Sequence, residues 1–482
     1  MNNDLAFMTA SEMVARFRAK SLSPVEATDQ ALARIERFEP TLNAFQHLDP
    51  DSARAAATAS EARWAKGEPR GALDGVPTTI KDLTPAKGWP TLGGSLTTDP
   101  DQAWDQDAPA TARLREAGAV LLGKTTTPEF GWKGITDSGP KGITRNPWNP
   151  THSPGGSSGG AAAALAAGIG AIAHGTDGGG SIRIPASFSG LFGIKPTFGR
   201  VSDAPNTSPY ATLTSSGPLA RTVGDAALML NELARPDVRD WYAAEYRDVD
   251  WRNGLDGGVA GLRLAYCPDL GGAEPKAEVE ALVAAAAQAF TDLGATVEQP
   301  GPVFDPLRPI FETSWKAGFT HRVSSVPTDK RHLIDPGLRV LAEEGEATTL
   351  GDYYAGMTAR AELGVTMSRF HETFDLLLTP TTPAAAPAAD TIYHTEGYDR
   401  WRHAVPYTVP FNLTGQPSAS IPCGVTRAGL PVGLQITGPR FAEALILRAA
   451  RAYETTQPFP HPHPLLEASL AAIGNYEDSI FN

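Results

Sequence analysis

Apolar residues recur at helical spacing near the start of the chain and predict one buried stripe. The stripe is formed by Val25, Leu32, Ile35 and Phe38. The helix that carries it is predicted to begin at Ser23, because a serine cap, Pro24 in the first turn and Glu26 three residues after the cap are typical start signals. An earlier helix is predicted from Thr9, which has Glu12 three residues on.

Further along, short apolar runs alternate with helical patterns. Predicted strands cover 76–80, 119–122, 261–266, 295–298 and 375–378. Predicted helices cover 52–66, 110–117, 222–234, 278–293 and 441–453, with more helices between 304 and 374 and a hairpin around Gly429. This alternation favours an α/β fold in which helices cover both faces of a sheet. Residues 236–258 are predicted to be a surface excursion, and no clean domain break is visible.

The stretch 154–197 interrupts this pattern with two glycine-rich turns around a helix of small residues. The first turn presents Ser157 and Ser158, and the second presents Ser181 after three glycines. Glycine allows close approach to the backbone, and successive N–H groups in such turns can hold an oxygen that carries negative charge. A single turn of this kind is more often structural. The two together favour acyl transfer, with a serine as nucleophile.

The letters of a phosphate-binding loop also occur, as Gly118, Gly123, Lys124 and Thr125. In a true phosphate loop the four residues between the glycines form the loop itself. Here they are Ala-Val-Leu-Leu, which predicts a buried strand. We interpret the match as accidental and place Lys124 near a strand end.

The run 155–159 matches the G-x-S-x-G pattern of a nucleophile elbow. An elbow must follow a strand directly. The preceding segment, 146–154, contains three prolines and is not expected to be a central strand. His174 is the nearest candidate base, but its apolar surroundings are typical of a satisfied histidine in the core or at a strand end.

Composition narrows the classes of function. The 482 residues are 41% hydrophobic and 20% charged, and the formal net charge is −13. Such a charge argues against a nucleic-acid surface and an anionic membrane. Two cysteines and no metal-binding motif argue against a disulfide scaffold or a metal site, and we expect a cytoplasmic protein without a secretory signal.

Long ordered motifs carry a resemblance to a known family. They are GVPTTIKDL, GAVLLGKTTTPEF, TRNPWNP, GGSSGG, DGGGS, GLFGIKPT, GPLARTVGDAA, VPFNLTGQPSASIP and PVGLQITGP. Together they cover the chain from the first helices to about Tyr453 and strongly resemble the amidase signature family. The resemblance implies one large domain over 1–482, with a central mixed sheet between helical layers. Its catalytic core would span approximately 70–235 and 400–455, and 236–400 would form a more variable pocket region.

The family's Ser–cisSer–Lys triad maps onto this sequence without a gap. Ser181 falls at the nucleophile, Ser157 at the bridging serine after a cis peptide bond, and Lys81 at the base. The resemblance further implies an oxyanion hole of main-chain N–H groups, residues that support its loop, and a substrate pocket. These positions are, in that order, Gly178, Gly179, Gly180 and Ser181; Asp177 and Arg183; and Phe130, Gly131 and Trp132.

A lysine base must be neutral to accept a proton. The reference pKa of lysine is about 10.4, and lowering it by about 3 units requires about 4 kcal/mol against the charged form. Burial of Lys81 at the end of the apolar strand 76–80 could supply that energy. The alternative is an exposed lysine at a strand end, which is the usual fate of lysine.

These inferences predict a serine hydrolase that cleaves a linear or aryl amide through an acyl-enzyme, with carbamates and esters as further substrates. No metal or organic cofactor is expected, and the partner is a small molecule bound by a monomer or homodimer. One alternative is the amidase component of a glutamyl-tRNA amidotransferase complex, although segment 199–218 does not resemble the corresponding transamidase segment. A second is a family member that only binds, against which the intact Lys81, Ser157 and Ser181 argue.

Overall fold

The computed structural model describes residues 3–204, 211–304, 308–391 and 405–457. The strands are β1 (Phe45–Leu48), β2 (Pro77–Lys81), β3 (Val120–Thr125), β4 (Asp137–Ser138), β5 (Gly142–Ile143), β6 (Ile172–Asp177), β7 (Phe192–Lys195), β8 (Ser215–Ala220), β9 (Arg263–Tyr266), β10 (Thr296–Glu298), β11 (Leu376–Pro380), β12 (Ser418–Val425) and β13 (Pro431–Thr437). The helices are α1 (Asn3–Ala6), α2 (Ala10–Arg18), α3 (Pro24–Leu42), α4 (Pro50–Lys66), α5 (Pro109–Glu116), α6 (Gly159–Ala166), α7 (Arg183–Ser189), α8 (Val223–Leu233), α9 (Ala277–Asp292), α10 (Arg308–Ser324), α11 (Pro336–Gly345), α12 (Leu350–Phe370), α13 (Val409–Leu413) and α14 (Glu443–Thr456).

Within these residues, eleven strands form one mixed sheet in the order β1-β3-β2-β6-β8-β7-β12-β13-β11-β9-β10. Strands β3, β2 and β6 run parallel, as do β11, β9 and β10. The strands between β6 and β11 pair antiparallel. Helices pack on the sheet, so the predicted α/β fold with a mixed sheet is confirmed.

Local signals placed most elements well. Helix α3 has the predicted capping box at Ser23 and Glu26, and it ends at Asn43, which adopts a left-handed conformation. Leu32, Ile35 and Phe38 are buried, whereas Val25 is only half-buried. The hairpin β12–β13 turns at Gly429 as predicted. The last helix begins two residues later than predicted, at Glu443, and continues to Thr456.

The segment between the two glycine-rich turns contains the predicted helix of small residues, and a strand that includes His174 follows it. Helix α6 ends at Ala166, and Gly168 and Gly170 then adopt positive φ values of 74° and 76°. The backbone reverses there and enters β6, a central strand between β2 and β8. The second serine turn therefore follows a strand, because the glycines end the helix before the apolar run does.

The positions of the strands decide the matches to a phosphate loop and to a nucleophile elbow. The four middle residues of the phosphate-loop letters lead into and form β3, so they are not a phosphate loop. Residues 146–154 contain only isolated bridges and no strand of the sheet. Ser157 therefore does not lie in a nucleophile elbow, which needs a strand directly before it.

The described core consists of several apolar clusters. The largest cluster extends across the sheet from β3 to β9 and packs these strands against helices that include α8, α9 and α14. A second joins α7, α10 and α11 to the region of Phe130 and Trp132. Segment 236–258 is largely exposed and contains only one short 3-10 helix, as expected for a surface excursion. No described helix has both the length and the apolar character to cross a bilayer. Residues 205–210, inside segment 199–218, and 400–404, at the start of the second part of the predicted core, lie outside the described residues.

Candidate active site

Lys81 is the last residue of β2, and it is completely buried. Its Nζ lies 2.7 Å from Oγ of Ser157, 3.0 Å from Oγ1 of Thr176 and 3.3 Å from the Thr176 carbonyl oxygen. Burial lowers the pKa of Lys81 to about 7, although the charge of Asp177 opposes the shift. The alternative of an exposed strand-end lysine is therefore wrong, and a large fraction of Lys81 is neutral near neutral pH.

The first turn holds Ser157 between closely packed glycines. Gly155 has a φ of +86°, and the peptide bond between Gly156 and Ser157 is cis, as the family resemblance implied. A side chain at Gly156 would collide with the backbone of Ile135. Glycine is therefore required beside Ser157, because the neighbouring chain occupies the space of a Cβ atom.

The second turn connects β6 to α7 and presents Ser181. Gly180 has a φ of +126°, and its N–H donates to the Asp177 carboxylate at 2.7 Å. The N–H groups of Gly178, Gly179 and Ser181 have no acceptor among the described residues. An oxyanion hole formed by these three N–H groups stays a prediction, and the N–H of Gly180, the fourth predicted member, is bonded to the Asp177 carboxylate.

The two turns touch, and their serines differ in surroundings. The Ser158 N–H donates to the Ser181 carbonyl oxygen at 3.2 Å. Ser157 is 2% exposed and accepts from Lys81, whereas Ser181 is 8% exposed and its hydroxyl has no hydrogen-bond partner in the described part of the chain. Ser181 is thus the more accessible of the two hydroxyls.

Asp177 and Arg183 form a buried pair beneath the second turn. The Arg183 Nε and Nη2 atoms donate to the two Asp177 carboxylate oxygens, each at 2.9 Å. Burial alone would raise the pKa of Asp177, but the charge of Arg183 and its hydrogen bonds hold that pKa well below its usual range. The carboxylate therefore stays ionised and keeps its bonds to the turn.

Three more polar residues complete this support, and the prediction from the sequence missed them. Asn412 donates to the Asp177 carbonyl and carboxylate, each at 2.9 Å, and its oxygen accepts from Arg183 at 2.6 Å. Thr408 donates to the Gly179 carbonyl at 2.7 Å, and Gln435 accepts from Arg183 at 2.9 Å. Thr176, which accepts from Lys81, was missed as well. Asn412 and Gln435 lie in the family-like segments VPFNLTGQPSASIP and PVGLQITGP. The sequence therefore marked these two residues as part of family motifs, but it did not indicate what they contact.

His174 lies within β6 and is completely buried. Its two ring nitrogens have no hydrogen-bond partner among the described residues, so it is a core histidine but not a satisfied one. Burial, with the charges of Lys81 and Lys124, lowers its pKa to about 3. The ring is therefore neutral and bonds to neither serine. Among the described residues, no three His, Cys, Asp or Glu side chains lie close enough together to bind a metal ion.

The predicted pocket residues lie in a neighbouring loop. Phe130 and Gly131 have positive φ values of 49° and 73°, and both are buried with Trp132. The Trp132 carbonyl accepts from Nε1 of Trp315 at 3.3 Å. The role of Phe130, Gly131 and Trp132 in a substrate pocket stays a prediction.

Removing the Asn412 amide tests whether this support acts on the site. We expect Asn412→Ala to lower the free energy of unfolding by about 1–3 kcal/mol for each buried group left without a partner, and to lower kcat because the turn loses its brace. Thermal unfolding and steady-state kinetics measure both. Asn231→Ala, which removes an amide bonded to Asp250 elsewhere, is the matched control and should leave kcat unchanged. An unchanged kcat in Asn412→Ala would show that Asn412 is only structural.

A protein-family model described as Amidase matches residues 26–447. This chain belongs to the amidase family. It is 34% identical over 471 residues to an acylamidase from Rhodococcus erythropolis, covering 96% of this chain and 98% of that protein. It is also 36% identical over 488 residues to a glutamyl-tRNA(Gln) amidotransferase subunit from Myxococcus xanthus, covering 94% of this chain and 98% of that protein.

The solved structures agree with the family assignment. A bacterial aryl acylamidase of the amidase signature family superimposes with a TM-score of 0.87 at 32% identity, covering 95% of this chain and 98% of that one. The expected family is confirmed, and with it a relationship to enzymes that hydrolyse amides. Proteins named as glutamyl-tRNA(Gln) amidotransferase subunits also match this chain, both in sequence and in structure.

Proposed function

We propose that this chain hydrolyses the C–N bond of small amides, linear or aryl, through an acyl-enzyme on Ser181. The observation that supports it most is the buried Lys81 amine at 2.7 Å from the Ser157 hydroxyl, in a turn that touches the one bearing Ser181. The names of two relatives, acylamidase and aryl acylamidase, agree with this class of substrate. Carbamates and esters present a similar carbonyl and belong to the same proposal.

The chemistry begins with proton transfer. Neutral Lys81 accepts the proton of Ser157 as Ser157 accepts the proton of Ser181, and the Ser181 oxygen attacks the carbonyl carbon. This requires the two hydroxyls to come within hydrogen-bond distance. Catalytic hydrogen bonds commonly shorten when substrate binds.

The negative charge then develops on the substrate oxygen. The N–H groups of Gly178, Gly179 and Ser181 are proposed to hold it, since they have no acceptor among the described residues. The leaving nitrogen receives the proton back from Lys81 through Ser157 as the C–N bond breaks. Water then attacks the Ser181 ester while its proton passes through Ser157 to Lys81. The bond to the Ser181 oxygen breaks, that oxygen takes the proton back along the same route, and the acid is released.

The pH dependence of kcat/KM tests the role of the lysine. Because burial lowers the pKa of Lys81 to about 7 and the neutral amine is the active form, we expect kcat/KM to rise with pH through about 7 and then level off. Glu129, whose pKa burial raises to about 7, titrates in the same range. Glu129→Gln is the control and should keep the acid limb. A kcat/KM that stays flat as the pH falls well below 7 would contradict the proposal.

The transamidase alternative is separated by assaying the chain alone. A panel of amides, anilides, carbamates and esters is offered to the purified protein without ATP or partner proteins. Turnover of simple amides or anilides is the expected result. Activity that appears only with ATP and the other components of an amidotransferase would favour the relationship to the amidotransferase relatives instead.

A further inference from the structure

Two aromatic rings of α10 cover the turn that presents Ser181. Phe311 and Trp315 are four residues apart on α10, so they share one face of the helix. A Cβ atom built on Gly179 would lie 3.1 Å from Cζ of Phe311 and 3.7 Å from Cη2 of Trp315. The ring edges therefore rest on Gly179, two residues before Ser181.

The two rings are held in place by each other, by a third aromatic ring and by one hydrogen bond. Their centroids are 4.7 Å apart, and Trp315 also packs against Phe319 at 5.4 Å. Nε1 of Trp315 donates to the Trp132 carbonyl at 3.3 Å. The pair therefore forms a fixed surface, which we call the aromatic wall (Phe311 and Trp315), and it connects the serine turn to the predicted pocket loop.

The surroundings of the aromatic wall are apolar. Both residues are almost completely buried and belong to the cluster that includes Ile184 and Leu213. Lys316, on the adjacent face of α10, pairs with Glu312 at 3.6 Å and Glu344 at 3.2 Å. The atoms of the wall nearest Gly179 are ring carbons, so a substrate group that reaches the wall would contact carbon, and a charged group there would lose its hydration.

We propose that Phe311 and Trp315 determine specificity, selecting substrates with an aromatic or flat apolar group on one side of the scissile C–N bond, either in the acyl group or on the leaving nitrogen. The inference rests on the proposed function. An oxygen held by the N–H groups of Gly178, Gly179 and Ser181 would fix the carbonyl beside Gly179, so a substituent on that side would pack against the wall. Aromatic rings gain from such edge contacts, by about 3- to 10-fold in affinity for each well-placed pair.

Substrate pairs that differ only in one ring test the aromatic wall. Benzoyl and acetyl amides of one amine probe the acyl side, and an anilide and a methylamide of one acid probe the amine side. The ratio of kcat/KM, aromatic over aliphatic, is expected to fall about 3- to 10-fold in Phe311→Leu and in Trp315→Leu, in one of the two series. Phe290→Leu, which shortens a buried aromatic residue of α9 in a different apolar cluster, is the control and should keep both ratios.

Each outcome of the substrate comparison either supports or overturns the proposal that substrates contact the aromatic wall. A ratio that changes in the wall variants and not in the control supports the proposal and identifies the side. An equal loss for both members of each pair would mean that the rings only brace the Gly179 turn, and ratios unchanged in every variant would mean that no substrate contacts them. Either result overturns the proposal.

Inactivation provides a readout that does not depend on turnover. The rates at which phenylmethanesulfonyl fluoride and methanesulfonyl fluoride modify Ser181 are followed by mass spectrometry. The ratio of the rates should fall in Phe311→Leu and stay unchanged in Phe290→Leu. If the wild-type protein hydrolyses none of the amides, carbamates or esters, the proposed function fails, yet this ratio still tests the wall.

Discussion

Ser181→Ala is expected to lower kcat by about 10⁴- to 10⁶-fold, to the level of background hydrolysis. The variant removes the oxygen that would form the acyl-enzyme, and the Ser157 hydroxyl cannot replace it because that hydroxyl is bonded to Lys81 and is less exposed. Folding should be unaffected, since the Ser181 hydroxyl has no hydrogen-bond partner in the described structure. Steady-state kinetics on the best amide of the panel, together with thermal unfolding, measure both effects.

Ser189→Ala is the matched control for this variant. Ser189 is a buried serine of α7 whose hydroxyl donates to the Pro154 carbonyl at 3.2 Å, and its removal should leave kcat near the wild-type value. A sulfonyl fluoride should add its mass to the peptide that contains Ser181. Near-normal turnover by a folded Ser181→Ala would contradict the mechanism, and label on Ser157 alone would exchange the two roles.

Lys81→Ala is expected to lower kcat by about 10³- to 10⁵-fold, because no other described base is hydrogen-bonded to Ser157. The same substitution should abolish the rise of kcat/KM with pH near 7, which the neutral amine is proposed to cause. A small amine such as methylamine, added at high concentration, should restore part of the rate by occupying the vacated space. The pH profile and the amine rescue separate a lost base from a lost structural contact.

A buried lysine without a link to the serines serves as the control for Lys81. Lys124 on β3 is as deeply buried, and its Nζ bonds to the Thr84 carbonyl and the Thr91 hydroxyl, each at 2.7 Å. Lys124→Met should destabilise the fold, because it leaves the buried Asp82 carboxylate without its nearby charge, 3.7 Å away. Its pH profile should keep the acid limb. Loss of the limb in Lys124→Met as well would argue against Lys81 as the titrating group.

The local elements were largely predictable because their signals are local. Capping residues, apolar periodicity and chain-breaking glycines act within a few residues, and they located α3, β2 and the hairpin β12–β13. Between the serine turns the helix of small residues was predicted, but the bounds of the strand that follows it were not. Small apolar residues suit a helix or a buried strand equally, and only pairing with β2 and β8 places Ile172–Asp177 in the sheet.

Burial of Lys81 and its pairing with Ser157 were predicted from the sequence, the pairing through the family resemblance, but the second partner, Thr176, was not. Ser157 and Thr176 are 76 and 95 residues from Lys81 in the sequence. Thr176 meets Lys81 because β2 and β6 are parallel neighbours in the sheet. Asn412 reaches Asp177 across an even longer separation. Pairing over such distances leaves no periodic trace in one sequence.

By itself, the sequence determined the chemistry available to this protein: two serines in glycine-rich turns, a lysine after an apolar strand, and membership of a family whose motifs it carries almost throughout. The tertiary structure alone decided how these groups are used. It buried Lys81, turned the Gly180 N–H towards Asp177, and set Phe311 and Trp315 over Gly179. The reason is physical: residue types and local order follow from short-range preferences, whereas the environment of a side chain depends on packing between distant segments.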